Sequence, residues 1–473
     1  MISEWSSTRP STTHPFNAVI WPATVAGKDV TSQGTGMQST HNNCNNMSNF
    51  LDKYDFSNCL VCGACANGCP TTGAPELDGW DARKVMRMLS NGLVNEVIDS
   101  NFPWLCTGCG RCTSTCPGGL DITSIMAHLK SLRPREAVPG SLHKGMVNNL
   151  ETGNNLGISK KDYLEGMAEL GEELAEELPG FYVPVDKHGA DILFFPNSKE
   201  VYGDFEDQYW WWKIFYAAGE NWTVPSENWE AVDWALFTGN DAGNTEFARR
   251  KIAYMKEFGI TSLIMPDCGG GSYGFRKGMA KLVAQDPANE VGFMYLYDYL
   301  MDRIKTGRIK LDKSIHAGKT FTFHDSCKHG RELARNFGKG YFEEPRWIVQ
   351  HCVDEYVELT PNREKNYCCG GGGGMWPMPF EDQSAWHARY KNEQIKESGA
   401  DVVVVGCSNC RDQIMKRIPK YFDGCEFEVK YLWQLVAEAL VIEPWPDHMI
   451  EKAKADATAQ WAALGVDLDS QEY

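Results

Sequence analysis

The chain is 473 residues long, with 17 cysteines and a formal net charge of −17, so about three domains are expected at ~150 residues each. The acidic balance excludes a nucleic-acid partner, which would need a basic stripe to meet phosphates. The longest apolar runs, such as the four valines of Asp401–Val405, fall far short of the ~20 residues that a membrane helix needs.

In chain order, residues 1–49 come first as an irregular arm rich in Ser, Thr and Asn. They lack the basic start of an export signal, so a disulfide framework is not expected. Residues 50–135 then carry eight cysteines in two runs of one spacing, C-x2-C-x2-C-x3-C-P: Cys59, Cys62, Cys65, Cys69 and Cys106, Cys109, Cys112, Cys116. That spacing wraps a cubane with three sulfurs and sends the fourth to a second cluster. Cys59, Cys62, Cys65 and Cys116 are therefore expected to hold one 4Fe-4S cluster. Cys106, Cys109, Cys112 and Cys69 would hold the other. Zinc, the alternative, favours paired knuckles.

Between and after the runs, helical periodicity is visible. Val85, Met86, Leu89, Leu93, Val94, Val97 and Ile98 recur at three- and four-residue steps, with Asp78 or Asp81 as the cap. Asp121 likewise precedes Ile122, Ile125, Met126 and Leu129. The module is expected to be an all-helical two-cluster ferredoxin. Residues 136–185 read as a linker whose acidic amphipathic helix, Lys160–Leu178, has the pattern of a solvated face.

The rest of the chain contains a weak duplication. Asp191–Ser198 parallels Thr320–Cys327, Phe237–Asn244 parallels Cys368–Gly374, and Ser262–Lys277 parallels Val402–Lys416. Strands alternating with helical stretches, Glu246–Phe258 and Gln383–Glu397, predict two parallel α/β units over 186–315 and 316–445, with sites at the strand ends. Residues 446–473 form a C-terminal extension. The fold class is thus α+β and multidomain.

The second copy holds five cysteines: Cys327, then Cys368 and Cys369 after 40 residues, then Cys407 and Cys410 after a further 37. The first copy keeps only Cys268; Ser198, Phe237, Thr238 and Gly271 stand at the other places. Five thiolates from three loops suit a metal cluster that is not a simple cubane. Gly370–Gly374 would let backbone approach a metal or a substrate approach the cluster. Gly269–Gly271 favour an open site beside Cys268. Cys268 is either a relic in a core or a thiolate facing the cluster. His324 is either a proton donor to a leaving thiolate or a strand-end histidine bonded to backbone. Asp325 reads as a turn former. Lys328, Arg331 and Arg335 either soften cluster charge, meet an acidic partner or line a solvated helix. The aromatic stretch Tyr209–Trp212, with Trp222, Trp229 and Trp234, is core or a docking surface. Cys44, Cys352 and Cys425 fit no spacing.

Two ferredoxin runs followed by C…CCG…C-x-x-C resemble the D-type subunit of heterodisulfide reductases over roughly residues 50–440. The resemblance implies that Cys327, Cys368, Cys369, Cys407 and Cys410 bind a non-cubane 4Fe-4S cluster that takes part in disulfide reduction. The eroded first copy makes a second such cluster improbable. His324-Asp325-Ser326-Cys327, Glu344-Pro345-Arg346 and Cys368–Gly374 further resemble iron–sulfur subunits of transmembrane redox complexes in sulfate-reducing and sulfur-metabolising organisms. Those are the high-molecular-weight cytochrome c complex, the type II cytochrome c3 complex and the sulfite-reduction complex.

The resemblance implies a cytoplasmic subunit, peripheral on the inner membrane. Its implied partners are a membrane cytochrome b or quinone-site subunit, ferredoxin-like or multihaem cytochrome subunits, and a small thiol/disulfide protein. Electrons would pass between two cubanes and the non-cubane cluster, which would act on a disulfide. The alternatives are a pure electron conduit, or the iron–sulfur subunit of a flavin-dependent glycolate, lactate or glycerol-3-phosphate dehydrogenase.

Overall fold

The computed structural model describes residues 50–265 and 268–467. The expected N-terminal arm and Cys44 lie outside the described residues.

The ferredoxin module is helical throughout. Its elements are α1 (Ala64–Gly68), α2 (Ala82–Ser90), α3 (Val94–Asp99), α4 (Phe102–Leu105), α5 (Arg111–Ser114) and α6 (Ile122–Leu132). Asp81, not Asp78, caps α2, accepting the Lys84 backbone N–H at 2.7 Å; Asp121 accepts that of Ser124 at 3.0 Å. Each cap satisfies a donor that a helix start leaves without an intrahelical partner. Val85, Met86, Leu89, Val94, Val97, Ile122, Ile125 and Met126 pack into one core, so the periodic residues face inward as the spacing requires.

Next come α7 (Gly140–Thr152) and the acidic helix α8 (Lys160–Glu177). α8 is not merely a solvated face. It buries Tyr163, Leu164, Met167 and Leu174, and the Tyr163 ring stacks on Trp229 at 4.4 Å.

The two pseudo-repeated units follow. The first contains β1 (Ile192–Phe194), α9 (Asp207–Ala218), β2 (Trp222–Thr223), α10 (Asp241–Phe258), β3 (Ser262–Ile264), α11 (Gly269–Gln285) and β4 (Gly292–Met294). The second contains β5 (Thr320–His324), α12 (Glu343–Cys352), β6 (Glu355–Tyr356), α13 (Glu381–Ser398), β7 (Val402–Val405) and β8 (Glu428–Tyr431). Both sheets are parallel, ordered β2-β1-β3-β4 and β6-β5-β7-β8. The same order in both units matches the internal duplication seen in sequence. β5 and β7 are central neighbours, with His324 opposite Val405, so the turns after them emerge side by side. In open parallel sheets, that edge is where sites form.

Trp211, Trp212, Trp222 and Trp229 are buried, which makes the aromatic stretch core rather than docking surface; Trp210 and Trp234 are partly covered. α14 (Asp447–Leu464) buries Ala453 and Trp461. Its Gln460 side chain accepts from the Val185 N–H at 2.8 Å and donates to the Val183 carbonyl at 2.9 Å.

Candidate iron–sulfur sites

The two cysteine runs fold alike. In each, the residue ahead of the short helix is a glycine with positive φ, Gly63 at 87° before α1 and Gly110 at 77° before α5. Only glycine takes that turn without strain, and it brings the third cysteine back toward the first two. The runs then exchange their last members. Burial raises the Cys65 thiol to about 11, with added repulsion from Cys59 and Cys116. Burial likewise raises Cys69 to about 11, with added repulsion from Cys106. Cys112 lies well above its ordinary value through burial, then Cys106 and Cys69. One cavity is lined by Cys59, Cys62, Cys65 and Cys116. Crowded buried thiols of this kind are costly to ionise alone, and a metal centre relieves the cost by taking them as thiolates.

The five cysteines of the second unit also converge. Cys327 follows β5, Cys407 and Cys410 follow β7, and Cys368 and Cys369 arrive on the loop before α13. Cys369 Sγ and Cys410 Sγ lie 3.3 Å apart. The neighbouring thiols of Cys109, Cys327 and Cys369 hold Cys368 well below the ordinary thiol range. The nearby thiols of Cys268 and Cys410 lower Cys407 in the same way. The Cys109 and Cys368 sulfurs lie within 4.8 Å of one another, and Cys327 and Cys268 are close enough to shift Cys368 and Cys407 respectively. Backbone N–H groups of Gly370 and Gly371 point at the sulfurs of Cys368 and Cys369, at 3.4 and 3.5 Å. Two π-helical turns, Lys328–Glu332 and Gln413–Arg417, lie just beyond Cys327 and Cys410, a feature frequent at functional sites.

Of the two uses the sequence left open for Gly370–Gly374, the structure shows close backbone approach rather than room for a substrate. A Cβ on Gly371 would meet the Asn409 carbonyl at 2.7 Å, and one on Gly373 would meet Thr107 Cα at 2.8 Å. These glycines allow protein backbones to close over the sulfurs. Gly269, Gly270 and Gly271 are likewise buried at the start of α11, where Phe237 would strike a Cβ on Gly270 at 2.5 Å. The site beside Cys268 is packed, not open. Cys268, Cys368, Cys369, Cys407 and Cys410 are each 6% exposed or less.

His324 sits at the end of β5, within 4.8 Å of the Cys369 and Cys410 sulfurs. Its Nδ1 lies 3.4 Å from the Asn366 amide nitrogen, and its buried Nε2 has no protein partner. Burial, followed by the Lys391 charge, holds it well below the ordinary histidine range, so the ring is neutral. Asp325 is bound by Arg346 at 2.7 and 3.0 Å; it anchors the loop rather than merely turning it. Lys328, Arg331 and Arg335 do not line a solvated face; each reaches the ferredoxin module. Cys352 is buried in the core, and Cys425 bonds to Asn392 at 3.3 Å.

Several residues at the site escaped the sequence reading. His387 places its Nδ1 2.9 Å from Thr71 Oγ1, and its Nε2 is buried without a partner near Cys109 and Cys368. His329 shares a 3.2 Å contact with Tyr297 through Nδ1, has a free buried Nε2, and is lowered to about 4 by burial. Lys391 is wholly buried and donates to Asn366 Oδ1 at 2.6 Å; burial lowers it to about 7. Ser384, His387 and Lys391 share one buried face of α13, a polar stripe at helical spacing that was legible in principle. Three histidines with free, buried nitrogens around a sulfur-only donor set fit a metal–sulfur centre, because such nitrogens are otherwise left unsatisfied.

Residues 55–120 match the 4Fe-4S dicluster domain, and residues 321–415 match the Cysteine-rich domain known as CCG. The D-type subunit of the dihydromethanophenazine:CoB–CoM heterodisulfide reductase of Methanosarcina acetivorans is 26% identical over 419 residues, covering 82% of this chain and 94% of the relative. The chain is similar to the D-type heterodisulfide reductase subunits. It is also 23% identical over 387 residues to the Hdr-like menaquinol oxidoreductase iron-sulfur subunit 2 of Archaeoglobus fulgidus, covering 67% of each. A solved structure of a hypothetical protein from Helicobacter pylori superposes with a TM-score of 0.47 at 9% identity, covering 86% of this chain and 74% of that one. With both cysteine domains present, the D-like chain is an iron–sulfur electron-transfer protein. Among the described residues, no helix is long and apolar enough to cross a membrane.

Proposed function

We propose that the chain carries electrons between two cubane 4Fe-4S clusters and one non-cubane 4Fe-4S cluster, with heterodisulfide reductase-like chemistry on a disulfide or thiol partner. Cys59, Cys62, Cys65 and Cys116 would hold the outer cubane, and Cys69, Cys106, Cys109 and Cys112 the inner one. Cys327, Cys368, Cys369, Cys407 and Cys410 would hold the third cluster. When bound, these groups supply one-electron steps. The observation that carries the reading is the approach of the Cys109 and Cys368 sulfurs to within 4.8 Å, backed by Thr107 Oγ1 at 3.6 Å from the Cys368 sulfur. It joins the inner ligand set to the five-cysteine site without an intervening residue.

The chain's own residues have defined tasks in this reading. The N–H groups of Gly370 and Gly371 stabilise thiolate charge, and the closed glycine loops exclude water. His324, within 4.8 Å of the Cys369 and Cys410 sulfurs, would offer a neutral N–H hydrogen bond to a departing thiolate, and would deliver a proton only after being protonated itself. Cys268 presents a sixth thiol against Cys407. The ferredoxin module, 50–135, and the second unit, 316–445, are the functional parts; the first unit, 186–315, supplies Cys268 and the wall around it.

The relative named as an iron–sulfur subunit of a menaquinol oxidoreductase supports a place in a membrane redox complex. There the chain would lie on the cytoplasmic face of the inner membrane, bound through a cytochrome b or quinone-site subunit. Ferredoxin-like or multihaem cytochrome subunits, as in the complexes of sulfate reducers, would be its further partners.

A second reading, a pure electron conduit, is favoured by one observation. Four of the five cysteines of the site, Cys368, Cys369, Cys407 and Cys410, are buried, which restricts the approach of a substrate sulfur to them.

Iron analysis after anaerobic purification separates the outcomes. The proposal expects about 12 iron atoms per chain, falling to about eight in Cys368→Ser, with loss of one EPR signal. About eight in the unaltered protein, with Cys368→Ser changing nothing, would remove the third cluster. Turnover of a dithiol lost in Cys268→Ser at full iron content supports the disulfide chemistry; no dithiol turnover at all leaves the conduit.

A further inference from the structure

The two ligand loops of the ferredoxin module have one spacing but unlike electrical surroundings. Three cations hold the backbone of the inner loop. Lys130 Nζ donates to the Cys106 carbonyl at 3.1 Å, Lys328 Nζ to that of Gly108 at 2.7 Å, and Arg331 Nε to that of Cys109 at 2.8 Å. They arrive from α6 and from the π-turn after Cys327. Lys130 and Arg331 are each 6% exposed, and the Lys328 side chain is 12% exposed.

Their counter-charges are few. Glu332 lies 3.7 Å from Lys328 but is held closer by Arg335, at 2.9 Å, and Asp121 is also paired with Arg335. No carboxylate of the described residues pairs with Lys130 or Arg331. The outer loop has one counterpart, Arg83, whose Nε donates to the Val61 carbonyl at 2.9 Å in an exposed setting. Among the described residues, it is the sole charged one lining the outer cysteine cavity.

We propose that Lys130, Lys328 and Arg331 form a cation cradle that holds the reduction potential of the inner 4Fe-4S cluster above that of the outer one. The inference rests on the two-cubane reading above and adds an order of potentials to it. Reduction makes a four-cysteine centre more negative, so nearby positive charge favours the reduced state. Burial alone opposes that extra charge, and it is the buried loop that receives the three cations. Their field is little screened where they lie, whereas that of Arg83 is damped by water and salt. An electron reaching the outer loop, where Cys62 is exposed, therefore settles on the inner side, next to Cys368. Two of the three cradle residues belong to the second unit, so docking of that unit sets the order.

The test is an EPR-monitored redox titration of the full chain with its clusters loaded, the two cubane signals being assigned with Cys62→Ser and Cys106→Ser. Unaltered protein should give the higher midpoint to the inner signal. Lys130→Met and Lys328→Met should each shift that midpoint to lower potential and leave the outer signal in place. Lys328→Arg keeps the charge and should restore it, while Arg83→Met should leave the inner midpoint where it was. Iron content and circular dichroism matching the unaltered protein confirm that each variant is folded and loaded. An inner midpoint that does not fall in either Met variant, or that lies below the outer one from the start, overturns the proposal. Finding about eight iron atoms would instead sink the five-cysteine cluster and leave this titration fully readable.

Discussion

The first and second α/β units share a strand order, yet only the second has a full set of sulfurs. Cys268 and Cys407 occupy corresponding turns after β3 and β7, and each thiol shifts the other across the interface between the units. Where the second unit has Cys368 and Cys369, the first has Phe237 and Thr238. Phe237 packs against Gly270 and Gly374, filling space beside the sulfurs with a ring. The first unit has thus become a wall of the site that the second unit owns. The difference teaches that the sheet and its helices fold on apolar packing, without a ligand set of their own.

The largest expected effect tests that lesson in the first unit. Trp212 is completely buried, near Phe181 and Tyr209 at ring separations of 5.7 and 5.8 Å. Trp212→Ala should lower unfolding stability by about 3–5 kcal/mol, a typical loss for a large core aromatic. Denaturant unfolding should show it with iron content unchanged at low denaturant. Cys369→Ser in the second unit should do the reverse, losing iron while leaving the secondary structure intact. Were Trp212→Ala the variant that sheds iron, packing and cluster binding would not be separable in this way.

A second comparison concerns two buried lysines. α10 and α13 are both 18-residue helices, and each carries a buried lysine at the same distance from its start, Lys251 and Lys391. Burial lowers Lys251 to about 8, against the attraction of Asp233 and Glu230. Between about pH 8 and the ordinary lysine value near 10.5, the unfolded chain binds more protons than the folded one. Stability from this group therefore rises with pH across that window. Lys251→Met should flatten that rise, measured as the midpoint of urea unfolding at several pH values. An unchanged slope would mean that Lys251 keeps its charge at no cost. Lys391, facing the sulfurs, should lose less of its proton once the site is loaded, because negative charge nearby favours the ammonium.

How much of this was legible in sequence differs by region for physical reasons. The two cysteine runs were readable as a dicluster domain because their spacing is local, and that same spacing is what suggested that Cys69 and Cys116 each turn toward the other run. The strands were readable because buried parallel strands are short apolar runs. The run Gly370–Gly374 left two readings open, because a glycine next to cysteines looks the same whether it admits a substrate or a neighbouring backbone. Only tertiary contacts such as those of Gly371 and Gly373 decide it. For Lys328 and Arg331 the sequence left a solvated face, a partner contact and softening of cluster charge all open, since nothing local reveals that the ferredoxin module lies over them. His329 and His387 carry no spacing signal relative to the cysteines, and they reach the site only because α13 and the π-turn pack there. The approach of Cys109 to Cys368 joins residues 259 positions apart, beyond any local pattern.

The smallest effect concerns how each unit holds the ferredoxin module. The first unit is linked to it by Arg135, which donates to the Thr238 carbonyl at 2.9 Å. In the second unit, α13 presents a whole row: Gln383 donates to the Pro75 carbonyl at 3.2 Å and Trp386 to that of Thr72 at 3.0 Å. His387 adds its 2.9 Å bond with Thr71, which is buried on both sides. Thr71→Val keeps the shape and removes the hydroxyl, leaving His387 Nδ1 without its partner. The cost should be about 1–3 kcal/mol, the range for stranding a buried polar group. If α13 is the row that aligns the inner ligand loop with Cys368, electron equilibration between the cubane and third-cluster signals should slow in Thr71→Val under freeze-quench EPR. The matched change in the first unit, Arg135→Met, should reduce stability with no effect on that rate. Equal rates in both variants would mean that the second unit holds the module without aligning it.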